Sequence, residues 1–369
     1  MTPEDVSPPA VARALVGSAI ALKRGEHVVI VTWNHTLPWA AGCVVEARRI
    51  GARPILLLED EGSFWRSLDQ APSARLWSGL TAPVKAALRY ADALIYFPGP
   101  ADRPRLHSLP AHLLGPFLGS DDDWLRQART EHLRGVRCLL GNASDAQAEH
   151  WGVPGAMWRS QLIRAITEVD YDALRSRSVR AARLLRMGRA LHISAADGTD
   201  VRLRLRGRLP WVDDGVTDAE DVRRGRNLAV APGGSVVVAI DEGSAEGVAV
   251  ANRPSYLTRG RVDGGQWEIE SGRLRNYWYA EGGESFEGEF SSAPRGRETV
   301  SLFALGLNPA LAPGVPQAED QEAGTVTLAI GGNTLYGGRN RCRYLSWLTI
   351  GEATVAVDGA PLVDRGQIL

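Results

Sequence analysis

Two patterns of hydrophobic and polar positions divide the chain near residue 185. In the N-terminal part, short continuous apolar runs alternate with segments of helical spacing, as in buried parallel strands joined by crossover helices. The apolar runs are His27–Thr32, Pro54–Leu58, Ala93–Phe97 and Arg137–Leu140. The helical segments are Val11–Leu22, Pro38–Ile50, Val84–Arg89, Trp124–Leu133 after an N-cap in Ser120–Asp123, Trp158–Thr167 and Tyr171–Met187. This alternation predicts an open α/β, Rossmann-like domain with a parallel sheet and bridging helices over residues 1–185.

Beyond Arg189 the pattern changes to short runs of alternating or β-branched residues between Gly-rich turns. These runs are Ala190–Ser194, Val201–Leu205, Ser235–Ile240, Gln266–Ser271, Leu274–Tyr279, Thr325–Ile330 and Thr354–Val357. They predict a mostly antiparallel, barrel-like β domain over residues 186–369. The predicted fold class is therefore α/β plus β.

Composition narrows the classes of function. The 369 residues suffice for two domains, and a formal net charge of −1 gives no field that would attract nucleic acid or an anionic membrane. Three widely spaced cysteines form no disulfide framework. The N-terminus lacks a basic and apolar signal-peptide pattern, and no apolar run approaches the ~18 residues of a membrane span. We expect a cytoplasmic protein that binds neither nucleic acid nor membrane.

Four sequence blocks lie in the C-terminal part: Asn227–Gly247 (NLAVAPGGSVVVAIDEGSAEG), Phe303–Pro309 (FALGLNP), Gly324–Gly332 (GTVTLAIGG) and Asn340–Trp347 (NRCRYLSW). Together they resemble the metal domain of the aminopeptidase T / AmpS family, which includes a dihydroxypyridine dioxygenase branch. The resemblance spans most of the chain and is specific in the C-terminal half. It implies an aminopeptidase-like β domain and, in the family, a site built from carboxylate and histidine metal ligands.

The positions that match the family's ligands carry other residues here. Counted from the shared EGSAEG and the other three blocks, they are Ser235, Leu302, Thr327, Leu345 and Trp347. Leucine and tryptophan offer no donor to a divalent metal, and no histidine follows His192. Tyr336 is the nearest match to the family's catalytic tyrosine, two residues out of register. We therefore expect no metal, no cofactor and no assigned catalytic residue.

A peptide groove is predicted where the family has its metal site. Arginine forks clamp carboxylates, and aromatic side chains supply contact area. The candidate groove residues are Ser235, Asn308, Tyr336, Arg339, Arg341, Arg343 and Trp347. The alternative interpretation is that Trp347 and Leu345 fill the former metal cavity as core.

Three other features each have a plain alternative. Trp33–His35 follows the first predicted strand, where an α/β sheet binds ligands and His35 could act as a base, but an ordinary packed loop is the preferred interpretation. Arginines recur every third residue at Arg177, Arg180, Arg183, Arg186 and Arg189, which suits an acidic groove or a solvated helix face. The acidic run Glu281, Glu284, Glu287 and Glu289 suits a substitute metal site or a solvated or hairpin face.

The function predicted from these observations is non-catalytic peptide binding by a pseudo-aminopeptidase, with a homodimer expected. This resembles the aminopeptidase-like accessory proteins of ribosomal peptide natural product biosynthesis, such as pyrroloindoline pathways, and implies presentation of a precursor peptide to modifying enzymes. One alternative is a hydrolase or dioxygenase-like enzyme, metal-independent or with an unrecognised metal, acting on a peptide or small aromatic substrate. Its candidates are Asp213, Asp214, the acidic run and the N-terminal histidines. A third possibility is a subunit that regulates an intact paralogue.

Overall fold

The polypeptide forms two compact units in the computed structural model, which describes residues 8–70, 79–110, 113 and 120–369. Helix Tyr171–Met187 belongs to the second unit, because Leu174 and Leu185 are buried in that unit's core. This division differs from the predicted boundary near residue 185. The first unit comprises the described residues of Met1–Glu168 with Gly215–Gly233, and the second comprises Val169–Asp214 with Gly234–Leu369.

The strands are numbered in chain order. They are β1 (His27–Trp33), β2 (Arg53–Glu59), β3 (Ala93–Tyr96), β4 (Arg134–Cys138), β5 (Ala190–Ser194), β6 (Asp200–Arg204), β7 (Trp211–Asp213), β8 (Leu228–Ala231), β9 (Ser235–Ala239), β10 (Glu246–Val250), β11 (Ser255–Leu257), β12 (Gly260–Val262), β13 (Gln266–Glu270), β14 (Arg273–Trp278), β15 (Val300–Gly306), β16 (Val326–Gly331), β17 (Leu345–Ile350), β18 (Thr354–Val357), β19 (Ala360–Asp364) and β20 (Gln367–Ile368).

Helices surround the parallel sheet and also occur in the second unit. In the first unit they are Pro8–Arg13 (continued by a π-helical segment, Ala14–Ala19), Leu37–Arg49, Glu61–Gln70, Ala82–Arg89, Arg103–His107, Ser120–Thr130, Asp145–His150, Gly155–Thr167 and Ala219–Arg223. In the second unit they are Tyr171–Met187 and Gly283–Ser292. Within the described ranges, no helix combines the length and apolar character needed to cross a membrane.

A five-stranded parallel sheet forms the centre of the first unit, in the order β2-β1-β3-β4-β8. The apolar runs predicted as its first three strands are confirmed. The inner strands β1 and β3 are buried almost throughout, whereas β2, at the edge of the sheet, leaves Ile55 and Leu58 exposed. The fourth strand lies three residues earlier than its predicted start. The fifth, β8, comes from the segment that returns after Gly215, and Thr217 binds it by accepting a hydrogen bond from the Ala229 N–H.

Two antiparallel sheets and one hairpin make up the second unit. The larger sheet has the order β14-β13-β10-β6-β5-β18-β19-β20, the smaller β17-β16-β15-β9-β7, and β11 pairs with β12. Alternate residues of both sheets meet in one core, with Trp267 and Phe303 fully buried. The mixed α/β plus antiparallel architecture agrees with the predicted fold class. Neither sheet order closes on itself, so a barrel-like form is not confirmed.

Three acids of the predicted run lie on a helix rather than on a hairpin, and Glu281 precedes that helix in an antiparallel bridge with Asp263. Helix Gly283–Ser292 carries Glu284 and Glu287 on its exposed side and buries Phe286 against Tyr277 and Tyr279. The sequence pattern did not predict this helix, because the segments around it alternate like strands and only one fully buried residue, Phe286, lies on its inner face.

Candidate functional site

The five positions that match the family's metal ligands converge on one face of the smaller sheet. They are Ser235 on β9, Leu302 on β15, Thr327 on β16, and Leu345 and Trp347 on β17. The register places Ala329 opposite both Leu302 and Trp347, so these two side chains share a face. The alternate residues of the same strands enter the main core. Sheet pairing thus brings four distant sequence blocks together.

The side chains on this face do not fit a divalent metal. Leu302 is fully buried and Trp347 half-buried in a small apolar cluster that also includes Trp211 and Tyr336. Tyr336 packs edge-on against Trp211 with ring centroids 5.8 Å apart. Leu302, Leu345 and Trp347 present hydrocarbon where a metal requires oxygen or nitrogen donors, and the other two positions offer only neutral hydroxyl groups. Among the residues described, no group of three or more histidine, cysteine or acidic side chains is placed to hold a metal.

A cavity of about 300 Å³ opens beside this cluster, at the edge strand β17. Its wall combines apolar, hydroxyl and carboxyl groups. The lining residues are Ser255, Tyr256, Leu257, Thr258, Glu289, Gln317, Glu319, Asp320, Thr327, Leu345, Ser346, Trp347 and Thr349. Three of the five aligned positions, Thr327, Leu345 and Trp347, therefore line it. The Ser255 hydroxyl donates to the Trp347 carbonyl at 3.0 Å and joins the β11 hairpin to the edge of β17.

Three carboxyl groups in the cavity have raised pKa values. Burial raises the pKa of Glu319 to about 8, against the opposing effect of backbone N–H groups that include those of Gln317 and Tyr256. Burial also raises the pKa of Asp320, while a hydrogen bond from the Ser235 hydroxyl lowers it. The pKa of Glu289 is raised by burial, and its carboxylate accepts the Arg259 N–H at 2.9 Å. The cavity therefore has acidic groups that retain protons more strongly than exposed ones.

Glu242, from the EGSAEG motif, anchors the loop that carries Tyr336 and Arg339. Burial alone would raise the pKa of Glu242, but its hydrogen bonds outweigh that effect and hold it at about 2. Its carboxylate accepts from Arg208 at 2.7 Å, from the Arg339 N–H at 2.7 Å and from Asn333 at 3.1 Å. This charge-assisted network fixes the loop beside the sheet face.

The structure separates the predicted groove residues into three groups. Ser235, Tyr336 and Trp347 lie on or against the sheet face described above. Asn308 is fully buried, and its side-chain oxygen accepts the Ala310 N–H at 3.0 Å, which is a structural role in a turn. The arginines are exposed on the segment that leads into β17 and do not line the cavity: Arg339, Arg341 and Arg343.

The other sequence candidates occupy ordinary structural settings. His35 is half-buried, and its Nε2 lies 2.9 Å from the Gly141 carbonyl oxygen. Burial lowers its pKa. The arginine stripe lies on and just beyond helix Tyr171–Met187, with only Arg177 partly buried. Of the acidic run, Glu289 alone lines the cavity.

The sequence prediction missed Glu319 and Asp320, which supply most of the acidic lining. They are adjacent acids between the second and third blocks, in a segment rich in proline and glycine that has no strand or helix pattern. Because they lie between two sequence blocks that were predicted to form one site, their place in the chain could have indicated that they lie near it. Asp213, a candidate under the enzyme alternative, lies on β7 opposite Ser235.

Comparison with known proteins identifies the fold. AmpT (aminopeptidase T) from Thermus thermophilus is similar with a TM-score of 0.72 and 18% identity, over 98% of each chain. The 2,5-dihydroxypyridine dioxygenase from Pseudomonas putida KT2440 is similar with a TM-score of 0.64 and 14% identity, over 100% of this chain and 98% of that one. No protein-family model and no curated protein matches the sequence. The chain therefore has the aminopeptidase-like fold that its four sequence blocks predicted.

Proposed function

We propose that the protein is a non-catalytic peptide-binding protein, a pseudo-aminopeptidase. The observation that carries the proposal is the sheet face itself, where Leu302, Leu345 and Trp347 stand at three of the five aligned ligand positions beside a cavity of about 300 Å³. That volume is at the lower end of small-molecule sites and accommodates a side chain or a chain end. A face that offers contact area without a metal donor set suits binding better than hydrolysis.

The edge of β17 supports a peptide as the ligand. This strand ends the smaller sheet, and extended segments bind sheet edges through backbone hydrogen bonds. The Ser255 hydroxyl already donates to the Trp347 carbonyl, so the proposed peptide lies along the start of the strand, at Leu345. Leu345 is 37% exposed at this edge, next to the exposed Arg343. A peptide lying here contacts apolar surface at Leu345 and meets guanidinium groups beside it. The proposal includes presentation of a precursor peptide to modifying enzymes, and a homodimer.

A matched pair of leucine variants tests the groove. Leu345→Ala removes apolar contact at the cavity, whereas Leu335→Ala removes a 49% exposed leucine that does not line it. We expect Leu345→Ala to weaken binding about five- to tenfold, in line with the ~1–1.5 kcal/mol of a partly buried leucine. The ligand is selected from displayed random heptapeptides, and affinity is measured by calorimetry. Equal affinities of the two variants, or no selected peptide, would contradict the proposal.

A second candidate function rests on Glu319. A buried carboxyl group with a pKa of about 8 holds a proton near neutral pH, which suits general acid–base catalysis without a metal. An enzyme of this kind would lose turnover in Glu319→Gln while its metal content stayed negligible. Mass spectrometry after incubation with zinc, cobalt, manganese and ferrous iron separates this case from a metalloenzyme. One tightly held metal per chain would contradict the conclusion that this sheet face lacks metal ligands.

A further inference from the structure

We infer that the outer face of helix Tyr171–Met187 binds an acidic segment of a partner protein, one that carries carboxylates together with apolar side chains. Three arginines and three apolar residues make up this surface, called here the basic face: Val179, Arg180, Arg183, Leu184, Arg186 and Met187. None of them lines the cavity beside β17, so the inference concerns a second surface and does not depend on the proposed function.

The basic face is exposed on a helix whose other side is held in the second unit. Leu174 and Leu185, on that other side, are fully buried in the core. Outside, Val179, Leu184 and Met187 are 55%, 44% and 60% exposed. Single exposed apolar residues are ordinary, but three on one side of a short, anchored helix segment form a patch. Such a patch gives a partner apolar contact area at a fixed place.

The arginines of the basic face lack the acidic partners that other arginines of the same unit have. On and after β6, Arg204 and Arg206 both contact Asp241, at 3.4 and 3.0 Å, and Arg208 forms an ion pair with Glu242 at 2.7 Å. Within the described ranges, no acidic side chain forms an ion pair with an arginine of the basic face. Their guanidinium groups are therefore available to carboxylates from another molecule.

The helix dipole accounts for only part of this positive charge. The helix carries five arginines and a single acid, Asp172, although the formal net charge of the whole chain is −1. A cation interacts favourably with the carboxyl end of a helix mainly within the last turn, where Arg186 lies. Arg180 and Arg183 precede that turn, so the dipole gives no reason for them. An anionic partner does.

The mixture of charge and hydrocarbon favours a protein segment over other anions. Residues four apart are neighbours on a helix, so Val179, Arg183 and Met187 form one row and Arg180 and Leu184 the next. A nucleic acid would engage the arginines through its phosphates and leave the apolar side chains in water. A membrane-bound helix inserts its apolar face, and this helix buries that face in the core. An acidic, partly apolar segment contacts both kinds of side chain, over about 12 Å of helix.

Peptide selection with prior depletion tests the inference. Random dodecapeptides displayed on phage are depleted on a variant carrying Arg180→Gln, Arg183→Gln and Arg186→Gln, and are then selected on the wild type. Depletion removes peptides that bind elsewhere, including beside β17. We expect the selected peptides to be rich in aspartate, glutamate and apolar residues. Fluorescence anisotropy should show at least tenfold weaker binding to the variant, because three charge-assisted contacts are lost.

Two further variants show whether position and hydrocarbon matter. Arg48→Gln, Arg53→Gln and Arg89→Gln together remove the same charge from exposed arginines of the first unit and should leave affinity unchanged. Val179→Ser with Met187→Ser should weaken the selected peptides at least threefold, because apolar contact is lost. All three variants should keep the wild-type Tm, since the substituted residues are exposed.

Three outcomes would overturn the inference. The first is that no peptide survives depletion, or that the survivors lack acidic residues. The second is that the variant of the first unit weakens binding as much as the variant of the basic face. The third is that a single-stranded oligodeoxynucleotide or phosphatidylserine vesicles bind the basic face more tightly than the peptides and are unaffected by Val179→Ser with Met187→Ser.

Discussion

Replacing Glu319 with glutamine is expected to change how the stability of the second unit depends on pH. The folded protein raises the pKa of Glu319 from 4.5 to about 8, chiefly by burial. A raised pKa means that the stability associated with this group is fully present below pH 4.5. It is lost as the pH rises through about 8, because the unfolded chain ionises first. Glutamine keeps the shape of the protonated acid and cannot ionise.

The magnitude follows from the same pKa. At about 1.4 kcal/mol for each pH unit, a rise from 4.5 to about 8 corresponds to about 5 kcal/mol of lost stability well above pH 8. Glu319 is partly exposed, and solvent screening reduces this figure, so we expect a difference of about 2–5 kcal/mol between variant and wild type at pH 9. At pH 5 the free energies of unfolding should agree within about 1 kcal/mol, because Glu319 is protonated in the folded wild type.

Urea denaturation from pH 5 to pH 9 measures this difference, with circular dichroism as the signal. Glu284→Gln serves as the control, since Glu284 is exposed on the helix Gly283–Ser292. Its profile should run parallel to that of the wild type. If Glu319→Gln also ran parallel to the wild type, Glu319 would not be a shielded acid, and the electrostatic description of the cavity would be wrong.

Three further predictions concern the loop before β17 and the glutamate that anchors it. Glu242→Gln should destabilise the protein by about 2–3 kcal/mol at pH 7, because it loses charge-assisted hydrogen bonds. In urea denaturation this difference should disappear as the pH falls from 4.5 through about 2, because Glu242 of the folded wild type becomes protonated in that range. A constant difference down to pH 2 would contradict the network. Arg341→Ala should weaken peptides with an acidic group about three- to tenfold in calorimetry without lowering Tm, because Arg341 is exposed. Unchanged affinity would remove this arginine from the groove. Tyr336→Ala should lower Tm, since Tyr336 packs against Trp211.

Sequence patterns located most regular elements of the first unit. The continuous apolar run His27–Thr32 predicted β1 because it is short and rich in β-branched residues, and the helix Leu37–Arg49 follows it as predicted. The fifth strand, β8, escaped prediction because its partner β4 lies about ninety residues earlier in the chain. Pairing over that distance is a tertiary event with no local signal.

The homodimer and the presentation of a precursor peptide stay predictions.

The sequence by itself determined the residue types at the aligned ligand positions. Leucine at position 302 and tryptophan at position 347 lack metal donors whatever the fold, and the four blocks were enough to predict an aminopeptidase-like domain. Only the tertiary structure decided that Leu302 and Trp347 share one sheet face with Tyr336, and that Asn308 is confined to a buried turn. Side-chain alternation and strand register set these neighbours, and both depend on pairing between distant segments.

The acidic cavity was likewise a product of tertiary structure. Glu289 and Glu319 are thirty residues apart and belong to a helix and an irregular segment, so no periodicity relates them. Folding places both in one lining and shields their carboxyl groups from solvent, which raises their pKa values. The amino-acid sequence shows which residues can ionise. Their pKa values depend on burial and on neighbouring charges, and both are set only when the chain folds.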